Sequence, residues 1–139
     1  MSPTDYELIE LAHEAAEHAY APYSQFPVGA ALLLDDGRVI TGCNVENASY
    51  GLTICAERNA VTRAIVTSED APGTGNPERM QIKAVAIVGL RAEPCYPCGA
   101  CLQVLSEFNC ERVIVAKNKE SHSIAFAELL PYAFWSDSL

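Results

Sequence analysis

Basic residues are scarce in this chain. Its 139 residues include 9 Lys and Arg against 18 Asp and Glu, which gives a formal net charge of -9 at pH 7. A protein this acidic has no field that attracts a polyphosphate backbone, so we expect no nucleic acid polymer as a partner. Binding of an uncharged small molecule stays open, because it depends on a pocket and a few placed polar groups.

Long hydrophobic runs are also absent. No apolar run reaches the roughly 18 residues that a membrane helix needs, and the N-terminal segment lacks a basic start followed by an apolar stretch. We therefore expect neither export nor membrane insertion, and we predict a cytoplasmic protein. The sequence has no internal repeat and no linker. Because half of its residues are apolar, we predict a single domain over residues 1–139.

Helical and strand patterns follow one another along the chain. Thr4 and Glu7 have capping-box spacing and begin a helix expected over residues 5–20. Asp36 and Gly37 join two strands into a hairpin. The further predicted segments are strands over 28–34 and 39–45, a helix over 55–67, a surface loop over 68–79, a strand over 82–88, a helix from 98, strands over 113–116 and 123–126, and a short helix before Pro131. This order favours a mixed sheet between helices, an α/β layer architecture.

Two short cysteine segments stand at predicted helix starts. Cys98 and Cys101 are three residues apart, so one helical turn brings both sulfurs to the same face, and Cys55 supplies a third ligand. Helix N-termini favour the thiolate that metal binding requires. Three protein ligands leave the fourth tetrahedral position of a zinc ion to water, which is typical of a catalytic site.

Glu57 and Arg58 follow the first cysteine directly. A carboxylate beside the zinc, but not bound to it, can take a proton from the activated water and return it to a substrate, and this is the catalytic role predicted for Glu57. Three thiolates and one zinc ion carry a net charge of about -1, so a cation is expected nearby. Arg58 can donate to a ligand sulfur and withdraw that charge; the alternative is a solvated helix residue.

Cys95 offers an overlapping pair with Cys98, and that register could replace the pair Cys98 and Cys101. The later pair is preferred, because Pro97 fits just before a helix but would disturb a turn from Cys95 to Cys98. A non-catalytic zinc or redox module is a separate alternative, with Cys98 and Cys101 as a structural or thiol pair. In such a module Glu57 would have no purpose.

The sequence resembles the cytidine deaminase family, specifically its small homotetrameric, zinc-dependent nucleoside deaminases with an all-cysteine site. The matching runs are Tyr20 to Ala31, Gly42 to Tyr50, Cys55 to Arg58, Pro97 to Cys101 and Glu128 to Pro131. The resemblance implies a three-layer α/β/α sandwich with a mixed five-stranded sheet. It also implies one zinc ion per subunit and hydrolysis of cytidine and 2′-deoxycytidine to uridine and 2′-deoxyuridine with release of ammonia, as in pyrimidine salvage.

The resemblance also implies how a nucleoside is held. Asn44 and Glu46 would bind the ribose hydroxyls, Phe26 would stack on the pyrimidine, and the Ala56 amide would hold the pyrimidine carbonyl oxygen. From the residue pattern alone, Phe26 and Phe134 fit ordinary core aromatics equally well. Asn44 and Glu46 fit polar residues that face water at the end of a strand.

Tyr50 and Phe134 resemble family residues that reach the pocket of a neighbouring subunit, so the active sites of a homotetramer would be shared. Two positions depart from the family pattern: Leu102 stands where an arginine is usual, and Tyr96 where a small residue is usual. These departures keep a second substrate open, such as another aminated pyrimidine or a nucleoside antibiotic.

Overall fold

A five-stranded sheet forms the centre of the computed structural model, which describes residues 2–68 and 80–135. The strands lie in the order β2-β1-β3-β4-β5. β3 and β4 run parallel and the other three neighbouring pairs are antiparallel, which confirms the predicted mixed sheet. The strands are β1 (Val28–Leu34), β2 (Val39–Cys43), β3 (Ile82–Gly89), β4 (Arg112–Lys117) and β5 (Glu120–Ala125).

Helices cover both faces of this sheet. The helices are α1 (Asp5–Ala16), α2 (Ala56–Val66), α3 (Gly99–Glu107) and the short α4 (Phe126–Leu129). On one face, Leu8 and Ala12 of α1 pack against buried side chains of β1, β3 and β4. On the other face, Ala60 of α2 and Leu105 of α3 pack against the opposite side of the same strands. The structure is therefore the predicted three-layer α/β/α sandwich.

Helix α1 begins as predicted and ends earlier than predicted. Thr4 and Glu7 form the expected capping box. The helix stops at Ala16, and the prediction that it continues to Tyr20 is wrong. The reason is tertiary pairing: the Tyr20 N–H donates to the Asn44 carbonyl at 3.0 Å, and the Tyr20 carbonyl accepts from the Glu46 N–H at 2.9 Å.

Strand boundaries also shift. β2 ends at Cys43, because Val45 turns away to form isolated bridges with Tyr20 and Ile54. β5 begins at Glu120, three residues before its predicted start, and Phe126 opens α4 instead of closing the strand. The loop predicted over residues 68–79 lies outside the described residues except for Ser68. Within the described ranges, no helix has the length and apolar character needed to cross a bilayer.

Gly42 lets α2 lie directly on the edge strand β2. A Cβ atom at Gly42 would stand 2.5 Å from the Ala60 nitrogen and 2.7 Å from the Ala56 carbonyl oxygen, which no side chain can occupy without moving the helix. α1 approaches β1 in the same way, because a Cβ at Gly29 would stand 1.9 Å from the Ala12 carbonyl oxygen. The first turn of α2 is thus set by backbone contact with the sheet.

Candidate metal centre and active site

Three cysteine sulfurs meet where α2 and α3 begin. Cys55 is the N-cap residue of α2, Cys98 is the N-cap residue of α3, and Cys101 lies in the first turn of α3. Neither N-cap side chain accepts a capping hydrogen bond from the backbone of its helix. The Cys55 and Cys98 sulfurs are 3.9 Å apart, the Cys98 and Cys101 sulfurs are 3.5 Å apart, and all three lie within 4.8 Å of one another.

This cluster fits one zinc ion. Zinc–sulfur bonds of about 2.3 Å in a tetrahedral arrangement place the sulfurs roughly 3.8 Å apart, which agrees with the separations of the three cysteines. In the described part of the chain, the cysteine cluster has these three members and no fourth ligand. Cys95 stands outside it, half-buried against the core, and burial raises the pKa of its thiol to about 11.

The sulfurs differ in how readily they ionise. The pKa of Cys55 is lowered to about 5, first by the hydrogen bond from the Cys101 thiol and then by the Arg58 guanidinium. The pKa of Cys101 is raised above its usual range, because Cys101 donates to Cys55 and is fully buried. Of these two residues, Cys55 enters metal binding as a thiolate, whereas Cys101 must lose a proton.

Glu57 is buried in the first turn of α2, two residues after Cys55. Its side chain is only 4% exposed. Burial raises its pKa to about 7, and the nearby Cys55 thiolate acts in the same direction. A carboxyl group with a pKa near neutral pH can both take up and release a proton, which is the property that the predicted role requires.

Arg58 faces the sulfurs. Its guanidinium lies 3.7 Å from the Cys55 sulfur and 3.4 Å from the Thr53 carbonyl oxygen. The Cys55 sulfur is the main cause of a raised pKa for Arg58. The Arg58 Nε is buried and has no hydrogen-bond partner among the described residues. The positive charge expected from the sequence therefore lies beside the ligand sulfurs, nearest to that of Cys55.

The two residues predicted to bind ribose lie just after β2, and their side chains form hydrogen bonds with the backbone that precedes β1 and begins it. Asn44 is 8% exposed; its side-chain oxygen accepts from the Val28 N–H at 2.9 Å, and its NH2 donates to the Phe26 carbonyl at 3.0 Å. The Glu46 carboxylate accepts from the Tyr23 and Ser24 amides at 2.9 and 3.1 Å and from the Ser24 hydroxyl. These bonds, led by the Ser24 hydroxyl, lower the pKa of Glu46.

The two residues predicted to hold the base are placed by different elements. Phe26 is half-buried before β1, and its ring edge lies above Gly89, where a Cβ would approach it to 2.9 Å. Ala56 is the first residue of α2 and is fully buried. Its N–H belongs to the first four helical amides, which have no acceptor within the helix.

Tyr50 and Phe134 project from the surface of the chain. Tyr50 is 76% exposed and lies in a short 3-10 turn over Tyr50–Leu52, where its ring tilts against that of Tyr23 at 6.1 Å. Phe134 is 60% exposed, and its carbonyl accepts a hydrogen bond from the Gln103 side chain at 3.0 Å. Their exposure is compatible with contacts to another subunit.

Two residues that contact predicted site residues were not themselves predicted from the sequence. The Ser24 hydroxyl bonds both Glu46 and the Phe26 amide, and the i to i+2 spacing of Ser24 and Phe26 is the available signal, since serine often bonds the amide two residues on. Gln103 has no comparable local signal, because its partner Phe134 is distant in sequence. Of the two departures from the family pattern, Leu102 is buried in the core and Tyr96 is half exposed.

An α/β/α sandwich in which two helices begin at a three-cysteine cluster, with a carboxyl buried beside it, is the arrangement of a zinc-dependent hydrolase. Residues 2–117 match the family model for the cytidine and deoxycytidylate deaminase zinc-binding region. The cytidine deaminase of Halalkalibacterium halodurans is 44% identical over 135 residues, which cover 95% of each chain. The cytidine deaminase of Mycobacterium tuberculosis is 44% identical over 128 residues, covering 92% of this chain and 87% of that protein.

A solved cytidine deaminase structure is also similar to this chain. The crystal structure of cytidine deaminase from Burkholderia pseudomallei has a TM-score of 0.80 and 44% identity, and the match covers 95% of this chain and 100% of that one. The chain therefore belongs to the cytidine and deoxycytidylate deaminase family. Family membership and the cysteine cluster together confirm the predicted zinc cofactor. The alternatives, which were a non-catalytic zinc or redox module and a different substrate such as another aminated pyrimidine or a nucleoside antibiotic, are not needed.

Proposed function

We propose that this protein hydrolyses cytidine and 2′-deoxycytidine to uridine and 2′-deoxyuridine and releases ammonia, a reaction of pyrimidine salvage. The observation that carries the proposal is the buried Glu57 carboxyl two residues after Cys55, beside the three-sulfur cluster. The cytidine deaminases of H. halodurans and M. tuberculosis, each 44% identical to this chain, support the choice of substrate.

In the proposed mechanism, Cys55, Cys98 and Cys101 hold the zinc ion, which supplies Lewis-acid activation of water when bound. The Glu57 carboxylate removes a proton from the attacking water and passes it to N3 of the pyrimidine while the water oxygen forms a bond to C4. As the bond between C4 and the amino group breaks, the same carboxyl delivers the second water proton to the leaving ammonia. Burial of Glu57 keeps bulk water from competing for these protons.

Four residues hold the nucleoside in the proposed complex. Phe26 stacks on the pyrimidine, and the Ala56 amide donates to the pyrimidine carbonyl oxygen. Asn44 and Glu46 bind the ribose hydroxyls with the hydrogen-bonding capacity that their backbone contacts leave free. Arg58 withdraws charge from the Cys55 sulfur, which offsets the anionic ligand set.

The proposed assembly is a homotetramer in which Tyr50 and Phe134 reach a neighbouring subunit's pocket. The high exposure of both aromatic rings supports this arrangement. The proposed location is the cytoplasm. A site made of three free thiols requires a compartment in which cysteines stay reduced, which supports that location.

The test is loss of the cytidine absorbance band with purified, zinc-loaded protein. Glu57→Gln should keep one zinc ion per chain and lower kcat by about 10²–10⁴-fold, because the proton carrier is lost. Cys98→Ala should lose zinc. Glu107→Gln, at an exposed position at the end of α3, is the control and should keep full activity. Wild-type-like turnover by Glu57→Gln would overturn the role given to Glu57.

A further inference from the structure

The Ser24 side chain contacts two of the residues that the proposed function assigns to nucleoside binding. Its hydroxyl donates to the Glu46 carboxylate and accepts from the Phe26 N–H at 3.0 Å. A serine hydroxyl has one proton to donate, so its donor is used on Glu46 while an acceptor position is used on Phe26. The exposed Ser24 side chain thus connects Glu46, which is assigned to the sugar, with Phe26, which is assigned to the base.

The Phe26 backbone is fixed on its other side as well. Its carbonyl accepts from the Asn44 side chain at 3.0 Å, and the Asn44 oxygen accepts from the Val28 N–H at 2.9 Å. The Asn44 side chain therefore holds the Phe26 carbonyl directly, and Glu46 holds the Phe26 N–H through the Ser24 hydroxyl. Asn44 and Glu46 are the two residues that the proposed function assigns to the sugar. The ring itself rests above Gly89, which limits how it can move.

The chain reaches Phe26 through a tight turn. Gln25 has a φ of 55°, in the left-handed region that non-glycine residues rarely adopt. Its N–H donates to the Ala21 carbonyl at 3.0 Å, and its carbonyl accepts from the Arg91 guanidinium at 3.2 Å. A backbone conformation of this kind persists only where neighbouring bonds hold it, and the Ser24 hydroxyl supplies two of them.

We propose that Ser24 is a positioning residue that couples sugar recognition by Glu46 to base stacking by Phe26. The inference rests on the proposed function, because it takes Glu46 and Phe26 as substrate contacts. Without the hydroxyl, one Glu46 oxygen loses a donor and the Phe26 amide loses an acceptor, so both contacts loosen together. Cys55, Cys98, Cys101 and Glu57 are untouched, so the chemical step is unchanged.

The experiment compares Ser24→Ala with the wild type on cytidine and on 2′,3′-dideoxycytidine, which lacks the 2′- and 3′-hydroxyls of the sugar. Ser24→Ala should raise KM for cytidine about fivefold, because the two hydrogen bonds that position Glu46 and Phe26 are lost, with kcat within about twofold. The increase for the dideoxynucleoside should be smaller, because only the Phe26 contact remains to be lost. Ser24→Thr keeps a hydroxyl and should restore the KM for cytidine.

A double-mutant comparison tests the coupling itself. In a Glu46→Gln background, Ser24→Ala should raise KM for cytidine by a smaller factor than in the wild type, because part of its action passes through Glu46. Ser121→Ala, an exposed serine on the edge strand β5, is the matched control and should behave as wild type. Zinc content and the thermal midpoint are measured for every variant.

Three results would overturn the coupling: an unchanged KM for both substrates in Ser24→Ala, equal increases for both substrates, or the same increase for cytidine in the Glu46→Gln background as in the wild type. A wild-type protein that leaves cytidine intact is a different outcome and contradicts the proposed function itself. The two failures are therefore distinguishable, because the first requires an active wild-type enzyme.

Discussion

Charge at the three sulfurs is distributed unevenly, and this follows from individual contacts. Cys55 accepts hydrogen bonds from the Cys101 thiol and the Arg58 guanidinium, and its pKa is about 5. Cys101 is the donor in one of these pairs and has no exposed surface, so its pKa is raised. A zinc ion that binds at neutral pH therefore meets one ready thiolate and at least one thiol.

Proton release on zinc binding measures this difference. At pH 7 we expect at least one proton to be released per zinc ion, from Cys101, and none from Cys55. Apparent zinc affinity should then fall by at least about tenfold per pH unit on acidification, because protons compete for the sulfur. Titration calorimetry in buffers of different ionisation enthalpy gives the proton count. A count of zero at pH 7 would show that Cys101 is already ionised.

Arg58 should influence this count through Cys55. Arg58→Met removes the guanidinium, so the pKa of Cys55 rises and more protons are released at pH 6 than in the wild type. Arg58→Lys, which keeps a positive charge, should stay closer to the wild-type count. The same calorimetric series measures both variants. Equal counts for Arg58→Met and the wild type would mean that the guanidinium does not stabilise the thiolate.

At the scale of secondary structure, direct backbone contact between α2 and β2 fixes the position of the first turn of α2. Cys55 and Glu57 belong to that start, and Gly42 lies under it. Any side chain at position 42 would collide with backbone atoms of Ala56 and Ala60. These atoms are fixed within a helix, whereas a flexible side chain could rotate away. The glycine next to Cys43 and Asn44 is thus part of the geometry of the site.

Gly42→Ala should destabilise the protein and loosen zinc. We expect a loss of about 1–3 kcal/mol in unfolding free energy, the usual range for overpacking a tight contact. Gly51→Ala is the matched control, because no atom lies within 4 Å of its added Cβ. Urea unfolding of both variants, with zinc content measured in parallel, checks the expectation. Equal stability of the two variants would contradict the close contact at Gly42.

The sequence predicted the elements better than their ends. The capping box at Thr4 and the helix starts at Cys55 and Cys98 are local signals, and the structure has them. The early end of α1 depends on the pairing of Tyr20 with residues far along the chain, which no local pattern contains. The backbone contacts of Asn44 are equally non-local, because they join the end of β2 to the start of β1.

At the scale of the whole molecule, the exposed aromatic rings concern assembly. Tyr50 and Phe134 stand largely in solvent on the single chain, where large apolar side chains gain little. The family resemblance implies that both residues reach a neighbouring subunit's pocket. Without that resemblance, the sequence indicates only that each position is aromatic. The proposed shared active site would give that exposure a function.

Mixing two defective variants tests the sharing. Glu57→Gln lacks the proton carrier and Phe134→Ala lacks the proposed contribution to its neighbour. After denaturation and joint refolding at equal amounts, about a quarter of the sites in randomly assembled closed oligomers should have both intact residues. Cytidine turnover should then exceed the average of the two variants refolded separately. Activity equal to that average would show that Phe134 does not serve another subunit.

The coordination of the metal itself decides whether the proposed chemistry is possible. X-ray absorption at the zinc edge of the purified protein measures the number and distance of the ligands. We expect one zinc ion per chain, with three sulfurs at about 2.3 Å and one lighter atom at about 2.0 Å. Four sulfurs, with Cys95 completing the set, would close the position that water needs and contradict a hydrolytic site.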